Sequence, residues 1–156
     1  TKFICFIKLM NFLEFLKNKE PDFKGRYLED IWKYSNYEIE NIHDFIQLAF
    51  PLNKPSESVF HGYFLKTEHE INLIKNDKLA QLNLVKSSKW FLNFLELNNN
   101  WQNSYDHNQL RISRIIQSLR LLVSNEEADK FYKIILGMLK ANNQVNYETL
   151  EFWKHS

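Results

Sequence analysis

HNQLRISRIIQSLRLLV, residues His107–Val123, is the stretch whose reading decides the fold. Placed at about 100° per residue, Ile112, Ile115, Ile116, Leu119, Leu122 and Val123 fill one arc, the core face of an amphipathic helix. His107, Arg111, Arg114 and Ser118 occupy the next arc, roughly 60° wide by the same geometry, with Leu110 and Leu121 beyond them. The arc holding Ser113, Gln117 and Arg120 is the expected solvent face. A charged stripe with apolar residues on both sides belongs at an interface or a pocket wall, because a guanidinium placed there must find a partner in the fold or in a ligand. Arginine suits both uses, since its rigid fork can satisfy a carboxylate with two parallel hydrogen bonds.

Working outward, the helical signal continues on both sides. In Lys78–Leu97 the second half crowds Trp90, Phe91, Leu92, Phe94, Leu95 and Leu97 around most of the circumference, which marks a buried central strut. Ser87 and Ser88, set between lysines, read as a bend or a solvated patch. Ser35 with Glu38, Thr67 with Glu70, and Ser124 with Glu127 have capping-box spacing, so helices start after each. Pro21 and Gly25 end a first helix, and Pro51 stops another after Phe50. The expected helices are therefore 27–34, 36–50, 68–76, 78–97, 106–123, 125–140 and 147–153, preceded by an N-terminal one on which Phe3, Ile4, Ile7, Met10, Leu13 and Leu16 share a face. Residues 52–66 read as a loop, including His61 and Gly62. No strand alternation competes. The prediction is all-α: one domain, residues 1–156, of about six to eight helices around a central buried helix.

Composition limits the function classes. Hydrophobic residues at 44% and aromatics at 15% exclude disorder and permit a sizeable core. Twenty basic residues against nineteen acidic ones leave +1, which gives no global attraction to nucleic acid or anionic membrane. The apolar N-terminal stretch is interrupted by Lys8 and lacks a small-residue cleavage site, so a signal peptide is not expected, and no uncharged run approaches bilayer-spanning length. The single cysteine, Cys5, lies among apolar residues as an inert thiol. An intracellular, cytoplasmic setting fits, with host-directed secretion left open.

Enzyme signatures are absent: there is no H-E-x-x-H, no metal-spaced cysteine pair, no glycine-rich phosphate loop and no G-x-S-x-G. No catalytic residue, metal ligand or cofactor is assigned. His43 and His107 without a third ligand make a weak zinc case. On the expected 36–50 helix, Ile39, Ile42, Ile46, Ala49 and Phe50 form the core stripe, with His43 and Gln47 on its edge. There Glu40 or Asp44 is placed to pair with Arg111 or Arg114.

These same residues carry a resemblance. His43-Asp-Phe-Ile-Gln-Leu-Ala-Phe-Pro-Leu52 resembles the H-x-[FY]-I-Q-W-L-F-P motif of the opioid growth factor receptor conserved region, with Leu48 and Ala49 in place of tryptophan and leucine. His107-Asn-Gln-Leu-Arg-Ile-Ser-Arg-Ile-Ile-Gln-Ser-Leu119 resembles its H-N-x-L-R-I-[ST]-R-I-L-x-S-L motif. Leu65–Ile71 is similar to the family's L-T-x-H-E-I segment with one residue added, and Trp101-Gln102 to a W-x segment, so order and spacing agree over about residues 10–140. The resemblance implies a binding role. The vertebrate member binds an enkephalin peptide and acts in and around the nucleus, but the domain also occurs in fungi and bacteria that make none. The asparagine, lysine, isoleucine and phenylalanine bias suggests an AT-rich, bacterial genome. The motif's polar members here are His43, Gln47, His107, Asn108, Arg111 and Arg114, which include most of the stripe found by geometry.

Three functions stand against one another. In the first, those six residues form a polar groove for a carboxylate or other anion on a peptide, protein or small ligand, with Phe45, Phe50 and Trp101 as its apolar wall. In the second, the arginines hold an anionic substrate while His43 or His107 moves a proton. In the third, the cluster is internal and the domain is a scaffold. No nucleic-acid partner is expected, and the oligomeric state is open.

Overall fold

The computed structural model describes residues 10–57 and 62–156. Among these are nine α-helices and no strand: α1 Phe12–Leu16, α2 Leu28–Trp32, α3 Asn36–Asn41, α4 Ile46–Ala49, α5 Glu68–Lys75, α6 Lys78–Leu97, α7 His107–Leu122, α8 Asn125–Met138 and α9 Tyr147–Lys154. A 3-10 turn, Asn99–Gln102, joins α6 to α7. The expected helix face from Phe3 to Ile7, the environment of Cys5 and the loop residue His61 fall outside the described residues.

The decisive stretch forms its helix as the periodicity requires. Asp106 caps it, accepting the Asn108 amide at 2.9 Å, and the Ile112, Ile115, Ile116, Leu119 and Leu122 face is fully buried. Ten of its sixteen residues are buried, against nine of twenty in α6. The innermost helix is therefore α7, with α5, α6, α8 and α9 packed on it. Leu97, at the end of α6, is 72% exposed.

The solvent face expected on α7 is covered. Ser113 is buried because α9 returns across it: the Trp153 indole donates to the Gln109 carbonyl at 3.0 Å, and Arg120 Nε donates to the Ser156 carbonyl at 2.7 Å. Ser87 and Ser88 are also buried rather than solvated. The Ser87 hydroxyl accepts from the Trp32 indole at 2.9 Å, fixing α2 to α6.

The capping signals hold at three starts. The Ser35 and Glu38 box closes in both directions. Thr67 and Ser124 each accept the amide three residues on, while Glu70 turns to the Lys66 amide instead of the cap residue's own.

One expected helix is two. The 36–50 segment breaks after α3 at Ile42, whose backbone is extended (φ −93°, ψ 123°), and resumes as the single turn α4. Two tertiary contacts hold the break open. Arg26 donates to the Asp44 carboxylate at 2.6 Å and to its carbonyl at 3.3 Å. Arg111 takes carbonyls from the end of α3. Gly25, at φ +80°, makes the turn that brings Lys24 and Arg26 to Asp44.

Burial pushes the Asp44 carboxyl up, but hydrogen bonds from Lys24 and Arg26 and their charges outweigh it and hold it below its usual range. A depressed folded value means that this network stabilises the protein above the unfolded carboxyl range, near about pH 4. That contribution is lost as pH falls through the folded value. Urea unfolding between pH 6 and pH 3 should show stability declining over the acid end, and Asp44→Asn should flatten that decline.

Candidate functional site

Two helix ends within a dozen residues leave orphan carbonyls, because the last turn of a helix has no intrahelical donors to offer them. The 39–51 segment has this problem twice, at the ends of α3 and α4, and it lies along the polar stripe of α7. The stripe supplies the donors. Arg111 Nη1 donates to the Ile39 carbonyl at 2.7 Å and Nη2 to the Ile42 carbonyl at 3.0 Å. Arg114 Nη1 donates to the Phe50 carbonyl at 3.2 Å, and the Ser118 hydroxyl to the Pro51 carbonyl at 2.9 Å. Asn108 Nδ2 adds a side-chain rung, to Glu40 Oε2 at 3.0 Å. Cations at helix C-termini also complement the negative end of the dipole.

The two arginines differ because they sit on opposite edges of the stripe. Arg111, on the inner edge, is 5% exposed; it also reaches Asn108 Oδ1 at 3.2 Å and stands 5.4 Å over the Phe45 ring. Burial pulls its pKa down to about 10, opposed by the charges of Glu40 and Asp106. Arg114, on the outer edge beside Leu110 and Gln117, is half-buried. Burial pulls it to about 10 as well, and no carboxylate opposes the shift. Both remain cations at neutral pH. Neither forms the expected pair with Glu40 or Asp44: Asp44 is held by Lys24 and Arg26, while Glu40 faces Asn108 and His107.

The structure brings His43, His107, Asn108 and Arg111 together. The His43 and His107 ring centroids are 5.1 Å apart, and Arg111 Nη2 lies 3.4 Å from His43 Nδ1. Since arginine only donates, Nδ1 is the acceptor and the proton of the neutral ring sits on Nε2. Burial, Arg111 and His107 lower the His43 pKa against the opposing pull of Glu40 and Asp44. Acting as a base, His43 would take up a proton at Nδ1 directly against Arg111, which is unfavourable. His107 Nε2 lies 3.1 Å from Glu40 Oε1, but the contact lacks hydrogen-bond alignment and leaves this solvent-shielded nitrogen without a hydrogen bond.

The remaining polar member, Gln47, donates to the His43 carbonyl at 3.2 Å, and its buried Oε1 has no partner among the described residues. Phe45, Phe50 and Trp101 are 0%, 0% and 1% exposed, so they are core and not a groove wall. The apolar surface beside Arg114 is Leu110, one turn away and 64% exposed. Sequence reasoning did not place Glu40 beside His107, and it set Asp106 aside because adjacent residues face different ways on a helix. The available signal was the capping aspartate itself, whose carboxylate must turn back over the first turn of the helix where His107 sits.

A family model described as the opioid growth factor receptor conserved region matches residues 7–156. Opioid growth factor receptor-like protein 1 of mouse is 32% identical over 155 residues, covering 85% of this chain and 33% of that protein. The opioid growth factor receptor of mouse is 36% identical over 132 residues, covering 69% of this chain and 20% of its own, and the rat receptor is 33% identical over the same length. The chain thus spans a third or less of the curated relatives it matches. No solved structure matches it.

Proposed function

Because the chain belongs to the opioid growth factor receptor conserved-region family, we propose that it is an interaction module that takes a carboxylate-bearing peptide or other anionic ligand at the outer edge of the α7 stripe. The observation that carries this reading is Arg114. A half-buried guanidinium with one carbonyl partner and no counter-charge among the described residues retains donors and an unbalanced charge. Exposed Leu110 beside it offers an apolar contact, a combination suited to an apolar residue carrying a terminal carboxylate. His107 is two turns up the same face, about 10.5 Å from Arg114, so three extended residues would span the two. In this reading Arg111 and Ser118 position the groove.

The test is calorimetric titration with leucine-terminated acidic tripeptides, with the C-terminus free or amidated. The expected result is binding of the free acid, at least about tenfold weaker (1.4 kcal/mol) for the amide and for Arg114→Met. Equal binding by wild type and Arg114→Met, or none to either peptide, overturns the reading.

A second reading, the scaffold, is favoured by the contacts of Arg111 and Ser118, which are spent on backbone carbonyls. It expects no carboxylate dependence at all.

A further inference from the structure

We propose that Glu40, Asp106 and His107 form a site for a divalent transition-metal ion, Zn2+ being the ion best matched to one imidazole and two carboxylates. One donor atom from each of the three lies within 4.8 Å of the others. The tightest pair, His107 Nε2 and Glu40 Oε1, is 3.1 Å apart. Two ligands held at about 2.0–2.2 Å in a tetrahedron are separated by roughly 3.3 Å, so this edge is already close to coordination distance.

Three features distinguish the trio from a chance meeting of surface charges. First, His107 Nε2 is shielded from solvent and makes no hydrogen bond, although it stands beside a carboxylate oxygen. A shielded ring nitrogen that faces a carboxylate oxygen without an aligned hydrogen bond is an unsatisfied polar group that a cation held by both atoms would satisfy. Second, both carboxylates are oriented by Asn108: its side-chain amide donates to Glu40 Oε2 at 3.0 Å and its backbone amide to Asp106 Oδ1 at 2.9 Å. One oxygen of each carboxylate is thereby fixed by Asn108, the arrangement by which outer-shell partners pre-orient ligands. Third, the two carboxylates outnumber the guanidinium beside them, Arg111, on whose charge both act. The positive end of α7 opposes a cation there, and the capping carboxylate of Asp106 offsets it.

His43 is not a ligand in this geometry, since its Nδ1 faces Arg111. Three protein ligands would leave a fourth position for water or an anion, the open form of a zinc site. The site shares His107 with the far end of the proposed groove but not Arg114, so loss of Zn2+ binding in the carboxylate variants and loss of peptide binding in Arg114→Met report on the two readings independently.

The probe is Zn2+ alone, titrated calorimetrically into the full chain at pH 7 in a non-chelating buffer. One equivalent should bind in the micromolar range or tighter. Asp106→Asn retains a good helix cap and Glu40→Gln retains an acceptor for Asn108, so both should fold while binding falls by about 100-fold or more, beyond the 10–100-fold cost of losing an outer-shell partner. Circular dichroism confirms folding of each variant. Binding weaker than roughly 100 µM in the wild type, or affinity in the two variants equal to that of the wild type, overturns the site. In the latter case His155 with Glu151, 3.5 Å apart at the end of α9, is the alternative locus.

Discussion

Trp153→Ala should lower stability by about 3–5 kcal/mol, the usual cost of emptying a large aromatic site that cannot collapse. At about 2–4 °C per kcal/mol for a domain of this size, the thermal midpoint should fall by roughly 6–20 °C. Trp153 is fully buried, packs on Trp101 with ring centroids 6.2 Å apart, and donates its indole N–H to the Gln109 carbonyl. Gln109 in turn ties α7 back to the preceding turn, its side chain donating to the Trp101 and Asn103 carbonyls at 2.9 and 2.8 Å. Removing the indole therefore leaves a cavity where the end of α6, the start of α7 and α9 meet, and α9 loses its only fully buried side chain. Trp153→Phe keeps most of the volume and should cost markedly less. Thermal unfolding followed by circular dichroism measures both.

Arg111→Met should cost about 2–3 kcal/mol, or roughly 4–12 °C in the thermal midpoint. The substitution strips donors from the Ile39 and Ile42 carbonyls and from Asn108 Oδ1, and leaving buried acceptors unpaired is more expensive than losing a bond exposed to water. Relief from burying a cation offsets part of this loss but restores none of the hydrogen bonds. Arg111→Lys keeps the charge but not the fork, which cannot then reach both carbonyls, so it should fall between wild type and Met. The same melts, or urea titrations, resolve the order.

How much of this was legible follows from where each element's information resides. The core face of α7 and the starts at Ser35, Thr67 and Ser124 are local properties of periodicity and capping, and they appear as read. The break at Ile42 is not local. Ile39, Ile42, Ile46, Ala49 and Phe50 keep helical spacing straight across it, and what interrupts the helix is Arg26 and Arg111 arriving from elsewhere in the chain. The pairing of Arg111 or Arg114 with Glu40 or Asp44 does not form for the same reason. Lys24 and Arg26 reach Asp44 through a turn that charge spacing does not reveal. Ser113 is polar and on the outer arc of α7, yet it is buried, because no pattern within that helix records where α9 returns.

At the candidate site, the sequence singled out the stripe and its companion segment, and the structure joins the two backbone to side chain. His43, His107, Asn108 and Arg111 do come together, whereas the aromatic wall does not exist. Membership of the stripe says nothing about which arginine is enclosed. That depends on a step of about 60° around the helix, which separates the edge facing residues 39–42 from the edge facing Leu110.

The central claim is that this stripe divides its labour, Arg111 serving the fold and Arg114 retaining charge for a ligand. Urea unfolding of Arg111→Met and Arg114→Met, run side by side at pH 7, tests it most directly. The account predicts Arg111→Met destabilised by about 2–3 kcal/mol, with Arg114→Met within about 1 kcal/mol of wild type, since it gives up one 3.2 Å bond along with an unpaired charge. Equal losses in the two variants, or the larger loss in Arg114→Met, would contradict it.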